Sequence, residues 1–441
     1  MAAHAVGSSA VIALMGPRHE ASLCCVRRSY RPHYSGQRRF AESMHGKPHI
    51  PRKKRIPLIG SDEAAKLLGI SLRTLYSYVS RGRIGRVIDP VTGNSRYNRA
   101  EVEEYARKRD RGRSAGSAAR ASLSFGLPVM DSQVCAIKAG RPWFRGQDAI
   151  AFSATATLEQ TAALLWDVDS LPETGRADVA EDAGAGGERF LPRFHQWLLT
   201  NMDRLHVREA LSRDEQLRHA SRILRAGAIL AVGDELHGAA IHETMARAWG
   251  VPAGAADIIR RALVLHADHE LNPSSFALRC VASTMASPYA ATLAGCCAAS
   301  GVKHANFSAV MALTGATLRG EEPAALVAAH VATGQALPGF NHPLYPKGDP
   351  RATALLDDLR GIASGRDMAR IDGLLHAARS SQGLLPKNDF ALAAVTHLLR
   401  LPTDACERIF VVSRIVGWNA HALEQYSSPL LIRPRARYVP D

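Results

Sequence analysis

His342 and Arg351 lie nine positions apart in a segment rich in glycine and proline. From residue 339 to residue 351 it reads Gly-Phe-Asn-His-Pro-Leu-Tyr-Pro-Lys-Gly-Asp-Pro-Arg. Because proline removes a backbone donor and fixes φ, the segment is expected to be a loop, not a regular helix. A rigid loop that carries an imidazole and a guanidinium suits a site for a substrate with a carbonyl and a carboxylate group.

Other stretches also concentrate groups that do chemistry. His266-Ala-Asp-His269-Glu270 holds two histidines three apart, which are predicted to share a helix face. Taken alone, His-x-x-His-Glu permits a metal site, or a pair of histidines satisfied without any ligand. It is not the His-Glu-x-x-His order of zinc proteases, and no third ligand is evident, so we predict no metal. Further clusters surround His304, Asp389, Arg414 and Arg433.

In their order along about 320 residues, these clusters resemble the motifs of the citrate synthase family. The matching segments are Leu-His-Ala-Asp-His-Glu-Leu-Asn at 265–272, the histidine at 304, Phe-x-His…Asp-Pro-Arg at 340–351, Asp-Phe at 389–390, Ser-Arg…Gly-Trp at 413–418 and Arg-Pro-Arg at 433–435. Several motifs in a shared order are far more specific than any one of them.

The resemblance implies the condensation of acetyl-CoA with oxaloacetate, with no cofactor beyond the acetyl-CoA substrate. Asp389 corresponds to the general base, His304 to the group that stabilises the enol(ate), and His342 to the acid at the oxaloacetate carbonyl. The implied oxaloacetate ligands are His269, Arg351, Arg414 and Arg433. In the family the last arginine enters from the partner subunit, which implies a homodimer.

Some positions depart from the family pattern. His304 is followed by Ala-Asn-Phe where the family has Gly-Gly-Ala. Asn341 replaces the glycine before His342, and Lys387-Asn388 replaces Asn-Val before Asp389. All the catalytic residue types are retained, so the changes concern chiefly the acetyl-CoA pocket.

The elements that must position these residues are predicted to be helices. From about Ser122 the chain is rich in alanine and leucine at 3.6-residue spacing, and it has neither a Gly-x-Gly-x-x-Gly motif nor a P-loop. A large all-α domain is therefore expected over residues 122–441. The 23 uncharged residues Cys280–Val302 contain Pro288 and many small side chains, which favours buried helices over a membrane span.

A different pattern occupies residues 45–109. Ser61 is predicted to cap a first helix, Gly69-Ile-Ser71 makes a turn, and a second helix follows over Leu72–Ser80. A hairpin around residues 89–94 and a last helix over residues 100–109 complete the pattern. It resembles the winged helix-turn-helix of MerR and excisionase-type proteins, in which the second helix enters the major groove. The DNA-binding candidates are Arg73, Thr74, Ser77, Arg81, Arg83 and Arg86.

The positive charge is confined to the same part of the chain. The net charge of +14 divides into +15 for residues 1–121 and −1 for the remainder. This asymmetry indicates binding of double-stranded DNA, with a protein-binding module or a solvated tail as alternatives. Residues 110–121 are predicted to be a linker. Residues 1–44 are expected to be a disordered extension, or sequence upstream of a start at Met44.

The composition of 46% apolar and 22% charged residues is typical of a globular protein, and the seven cysteines form no Cys-x-x-Cys pair. A bacterial protein in a reducing cytoplasm, without membrane attachment, is expected. We interpret the chain as a citrate synthase-like acyltransferase with a DNA-binding module. The alternatives are a 2-methylcitrate synthase that uses propionyl-CoA and a transcription regulator whose synthase-like domain senses a metabolite.

Overall fold

The computed structural model describes residues 58–80, 83–89, 92–105, 125, 129–173, 189–205, 210–333, 336–436 and 438. They fall into two compact units, and the boundary lies between residues 107 and 108. The predicted extension 1–44, the predicted linker 110–121 and Arg81 lie outside the described residues.

The first unit combines short helices with a three-stranded antiparallel sheet. Its elements are β1 (Leu58–Gly60), α1 (Ser61–Leu68), α2 (Leu72–Ser80), β2 (Val87–Ile88) and β3 (Ser95–Asn98), followed by helical residues 99–105. The strand order β1-β3-β2 confirms the predicted hairpin and adds β1, which the sequence pattern did not indicate. Leu68, Leu75 and Tyr97 are fully buried in its core.

Of the two N-caps predicted in this unit, the structure confirms Ser71 but not Ser61. Gly69 ends α1 with φ 57°, a left-handed conformation that glycine adopts without strain. The Ser71 hydroxyl accepts the Thr74 N–H at 3.3 Å, as a cap of α2 should. The prediction that Ser61 caps α1 is wrong: Gly60 occupies that position, and no side chain makes the cap bond.

The second unit is mainly helical, as predicted, but it begins with a small antiparallel sheet that the sequence analysis did not predict. The strands are β4 (Cys135–Lys138), β5 (Arg141–Phe144) and β6 (Gln147–Asp148). The helices are α3 (Ala149–Phe152), α4 (Leu158–Trp166), α5 (Phe190–Arg204), α6 (Arg213–Val232), α7 (Ile241–Ala248), α8 (Ala253–His266), α9 (Pro273–Ala282), α10 (Pro288–Ala299), α11 (Phe307–Arg319), α12 (Pro323–Ala332), α13 (Pro350–Arg360), α14 (Gly365–Gln382), α15 (Asn388–Leu398) and α16 (Ala405–Tyr426).

Helix α16 is the centre of this unit. It is buried on nearly every side and packs against α4, α6, α8, α9 and α10. At Gly417 its N–H donates to the carbonyl of Ala267 at 3.1 Å. A Cβ at Gly417 would lie 2.3 Å from that carbonyl oxygen, so only glycine permits this approach. The contact holds the segment after α8 against the central helix.

Helix α10 lies within the small-residue stretch Cys280–Val302 and packs against α9, whose last three residues belong to the same stretch. The structure thereby accounts for their alanines, serines and glycine, because small side chains let helices approach closely. Over the described residues, no helix combines the length and apolar character that a membrane crossing needs.

Candidate active site

Most of the predicted site residues lie at the ends of helices and in the loops that join them. Arg414 projects from the middle of α16, Asp389 lies in the first turn of α15, and His304 precedes α11. His342 lies in the loop between α12 and α13. Arg351 is not in that loop: Pro350 begins α13, because proline needs no donor at a first helical position, and Arg351 follows in the first turn.

His342 is oriented by its own loop. The N–H of Leu344 donates to Nδ1 of His342 at 3.2 Å, so a neutral ring carries its hydrogen on Nε2. Burial, reinforced by the charge of Arg351, lowers the pKa of His342 to about 4. The ring is therefore neutral at pH 7, with one N–H that can donate to a substrate oxygen.

His269 lies next to His342, with ring centroids 4.9 Å apart. Its Nε2 shares a hydrogen bond of 3.0 Å with the hydroxyl of Tyr345, and burial holds its pKa well below the ordinary value. The prediction that His266 and His269 share a helix face is wrong, since α8 ends at His266 and His269 lies in the turn beyond it.

His266 has a separate role in the structure. Its Nδ1 donates to the carbonyl of Ala262 at 2.8 Å, so its Nε2 accepts from the side chain of Asn388 at 2.9 Å. Burial lowers the pKa of His266 to about 4. This histidine thus holds the residue that precedes Asp389. Among the described residues, no group of three His, Cys, Asp or Glu side chains is placed to hold a metal ion.

His304 is anchored through one ring nitrogen. Its Nε2 shares a hydrogen bond of 3.0 Å with the hydroxyl of Ser274. That hydroxyl also accepts from Nε1 of Trp418 at 3.0 Å and donates to Oδ1 of Asn272 at 2.6 Å. Burial lowers the pKa of His304 to about 4; Arg414 acts in the same direction, and Asp389 opposes it.

The two buried arginines differ in their partners. Arg351 makes two bonds to Asp349, from Nε to Oδ1 at 3.0 Å and from Nη2 to Oδ2 at 2.8 Å. Arg414 is 3% exposed, and its Nε and Nη1 have no hydrogen-bond partner among the described residues. Burial lowers the pKa of Arg414 to about 10, so it stays charged at neutral pH. A buried cation of this kind is costly unless an anion satisfies it.

Asp389 carries an unexpected partner. Nζ of Lys387 lies 2.7 Å from its Oδ2, and both side chains are partly exposed. Asp389 acts electrostatically on both His304 and His342. Asp389 therefore lies within electrostatic range of both predicted catalytic histidines.

The residues after His304 that depart from the family pattern make structural contacts. Oδ1 of Asn306 accepts the N–H of Ala309 at 3.3 Å and caps α11. The ring of Phe307 packs on Phe410, with centroids 5.4 Å apart, and the Arg414 guanidinium lies 5.1 Å from the same Phe410 ring. Phe307 thus packs against the same Phe410 ring that lies beside Arg414.

Arg433 is the predicted ligand that this chain does not bring to the cluster. It is exposed in the segment that follows α16, and no described hydrogen bond joins it to the other site residues. Sequence reasoning also missed several supporting residues. Asp349, Tyr345 and His266 were within quoted motifs and could have been found, whereas nothing in the local pattern marked Ser274 or Phe410.

In the first unit, the outward side of α2 carries some of the DNA-binding candidates. Arg73 is exposed and Ser77 is partly exposed, while the Thr74 hydroxyl is bonded to Ser71 at 2.9 Å. Tyr76, which the sequence analysis did not select, is 49% exposed on the same helix. Arg83 and Arg86 are exposed beyond α2.

Comparison with known proteins agrees with the division of the chain into two units. A model of the citrate synthase C-terminal domain matches residues 124–435, and a model of a helix-turn-helix domain matches residues 58–110. Citrate synthase 2 of Bacillus subtilis is 38% identical over 196 residues, which are 42% of this chain and 51% of that protein. The 2-methylcitrate synthase 2 of Corynebacterium glutamicum is 30% identical over 194 residues, 42% of this chain and 50% of that protein. The chain spans about half the length of these curated relatives.

Solved structures show the same fold. Citrate synthase from Thermoplasma acidophilum, in a ternary complex with carboxymethyl coenzyme A and oxaloacetate, has a TM-score of 0.61 at 20% identity, over 71% of this chain and 94% of that one. Citrate synthase from Thermotoga maritima has a TM-score of 0.59 at 20% identity, over 72% and 94% of the two chains.

Proposed function

The chain belongs to the citrate synthase family, and from this premise we propose that it condenses acetyl-CoA with oxaloacetate to citrate and CoA. The observation that carries the proposal is Arg414, a buried cation whose Nε and Nη1 have no hydrogen-bond partner among the described residues. Its charge acts on the pKa of His304, and Asp389 acts on the pKa of Arg414. A carboxylate of oxaloacetate is the partner that a planar guanidinium grips well.

The proposed reaction begins at the thioester methyl group. Asp389 takes a proton, and the electrons of the C–H bond form an enol(ate) whose oxygen lies at Nδ1 of His304. Donation from Nδ1 requires the Ser274 hydroxyl to turn its hydrogen from Asn272 to Nε2 of His304. Groups of this type each contribute ~10²–10⁴-fold to the rate.

The enol(ate) carbon then forms a bond to the oxaloacetate ketone carbon. Nε2–H of His342 supplies the proton that the ketone oxygen gains, and its Nδ1 remains bonded to the N–H of Leu344. Water cleaves the thioester, and citrate and CoA leave. A second chain, in a homodimer, supplies Arg433 as the last carboxylate ligand.

Propionyl-CoA is the alternative acyl donor, which would make this a 2-methylcitrate synthase. One methylene is worth only ~1–3 kcal/mol of discrimination, and one of the similar proteins has that activity in its name. The direct test measures thiol release from oxaloacetate with each of the two thioesters. Absence of release above background with both, at high protein concentration, would contradict the enzymatic proposal.

We also propose that the first unit binds double-stranded DNA through α2. The exposed Arg73 and Tyr76 on its outer side support this, together with the charge of +15 in residues 1–121. A chain that bound DNA and oxaloacetate without releasing CoA would be a metabolite-sensing regulator. Selection from random duplexes with the full chain, with and without oxaloacetate, tests this possibility.

A further inference from the structure

The ion pair between Lys387 and Asp389 sets this site apart from the family pattern. The family motif has an uncharged asparagine where this chain has Lys387. Here the ammonium lies 2.7 Å from the carboxylate, and the side chains of Lys387 and Asp389 are 27% and 21% exposed. Both charges are therefore partly accessible to solvent, yet in the structure they satisfy each other.

The backbone of Lys387 is held in place. Its N–H donates to the carbonyl of Gly339 at 2.9 Å, and its own carbonyl accepts the N–H of Phe390 at 3.0 Å at the start of α15. The side chain of Lys387 can therefore change its partner while the backbone keeps its hydrogen bonds. Lysine has a flexible four-carbon stem, so its ammonium can turn without any change of the backbone.

No neighbouring carboxylate offers Lys387 a second partner. Within the described part of the site, Asp349 already accepts three bonds from Arg351, one of them from its backbone N–H, and one from the N–H of Asn388. Asp268 is fully buried, and its Oδ1 lies 3.4 Å from Nε2 of His421. An anion that enters the site is therefore the partner that can replace Asp389 for the ammonium.

Cations other than Lys387 can bind the carboxylates of oxaloacetate. Arg414 has free N–H groups for one carboxylate, and Arg351 lies beside His269 and His342. Lys387 lies instead beside the proposed base, where the acyl group of the thioester must be placed for proton removal. An anion that draws Lys387 away is thus expected on the acyl group itself.

We propose that Lys387 is a specificity-determining residue that binds a carboxylate carried by the acyl group of the thioester, and that this exchange of partners frees Asp389. An uncharged acetyl or propionyl group offers Lys387 no such partner, so with these thioesters Asp389 must leave the ion pair without help from the substrate. This inference rests on the proposed binding of an acyl thioester at Asp389, and it goes beyond it by naming an acidic acyl group as the preferred class.

The test uses equilibrium binding, which does not depend on turnover. Malonyl-CoA and propionyl-CoA are a matched pair, because a carboxylate of the first replaces the terminal methyl group of the second. Their affinities are measured by calorimetry on the full chain saturated with malate, in which a hydroxyl group replaces the reactive ketone of oxaloacetate, so that no condensation occurs. We expect malonyl-CoA to bind roughly tenfold more tightly, the effect of about one well-placed ion pair.

Variants assign that preference to Lys387. Lys387→Asn and Lys387→Met should remove it, and Lys387→Arg should retain most of it. The control is Lys303→Asn, which removes an equal charge from an exposed lysine next to His304. Equal affinities in the wild type, or a preference that survives in Lys387→Met, would overturn the inference.

The outcome is separable from that of the proposed reaction. Release of CoA from acetyl-CoA without any preference for malonyl-CoA would leave the condensation standing and refute the role of Lys387. A preference that depends on Lys387, without thiol release from any thioester, would support the role of Lys387 and contradict the condensation.

Discussion

Asn341 and Leu385 exchange two hydrogen bonds that join the loop of His342 to the segment before Asp389. The N–H of Asn341 donates to the carbonyl of Leu385 at 2.8 Å, and Oδ1 of Asn341 accepts the N–H of Leu385 at 2.9 Å. Asn341 has φ 50°, a left-handed conformation that glycine adopts without strain and that asparagine tolerates better than most residues. Its side chain adds a bond that glycine lacks, so this departure strengthens the site.

The first prediction concerns the proposed base. Asp389→Asn should lower kcat by ~10²–10⁴-fold, because the amide cannot accept the methyl proton. Oxaloacetate affinity, measured by calorimetry, should change little, since Arg351 and Arg414 remain. Asp131→Asn, at an exposed position, is the matched control. A normal kcat in Asp389→Asn would show that another group is the base.

The second prediction separates binding from stability at Arg414. Arg414→Met should weaken oxaloacetate binding by ~30-fold or more, the usual effect of losing one partner of a desolvated charge pair. Because it also removes a buried cation without a partner, the free energy of unfolding of the ligand-free protein should not fall.

Arg279→Met is the control for Arg414. Arg279 is equally buried, but its Nε donates to Oε1 of Gln425 at 3.0 Å, and its guanidinium is paired with Glu424. Its loss should reduce the free energy of unfolding by ~3–5 kcal/mol, as measured by urea denaturation. A similar loss in Arg414→Met would mean that Arg414 has a structural role.

The third prediction concerns acid sensitivity. Burial lowers the pKa of His304 and His342 to about 4, whereas an unfolded histidine titrates near 6.5. Between these values the unfolded chain binds more protons than the folded one, so stability falls as the pH drops from about 6.5 to about 4. The variant His304→Gln/His342→Gln should show a shallower decline in urea titrations. His237→Gln, at a half-exposed position, should match the wild type.

The fourth prediction tests a site shared between subunits. Arg433→Ala and Asp389→Asn should each be nearly inactive alone. In a heterodimer of the two, one site combines an intact Asp389 with an intact Arg433 of the other chain, so about half of the wild-type rate is expected. Thiol release is measured on heterodimers purified with two different affinity tags. No recovery in such heterodimers would place Arg433 outside the site.

The fifth prediction concerns DNA. Affinity for duplexes should fall by roughly 0.9 log units per log unit of salt for each phosphate contacted. Arg73→Ala should change the sequence preference if Arg73 reads a base, and Arg86→Ala should weaken binding evenly across sequences. Arg319→Ala, an exposed change in the second unit, is the control. Enrichment of no motif by the wild type would leave the first unit as a protein-binding module.

The sequence alone was sufficient for the helical class of the second unit and for α2 of the first. Apolar spacing, the Gly69 stop and the Ser71 cap are local signals, and the structure places α2 at the predicted residues Leu72–Ser80. Chain order was also enough to recognise the family, because several motifs had to match in sequence. Strand β1 was missed, since three residues are too short for an alternating pattern and its pairing with β3 is long-range.

Only the tertiary structure decided how the site residues relate to each other. His304 and His342 come from two loops, Asp389 from the first turn of α15 and Arg414 from the middle of α16, so their relative positions depend on how α16 packs against its neighbours. The pairing of Lys387 with Asp389, and the missing partners of Arg414, depend on distances across that packing. Sequence spacing sets which residues share a helix turn, whereas burial and partners depend on contacts between residues far apart in the chain.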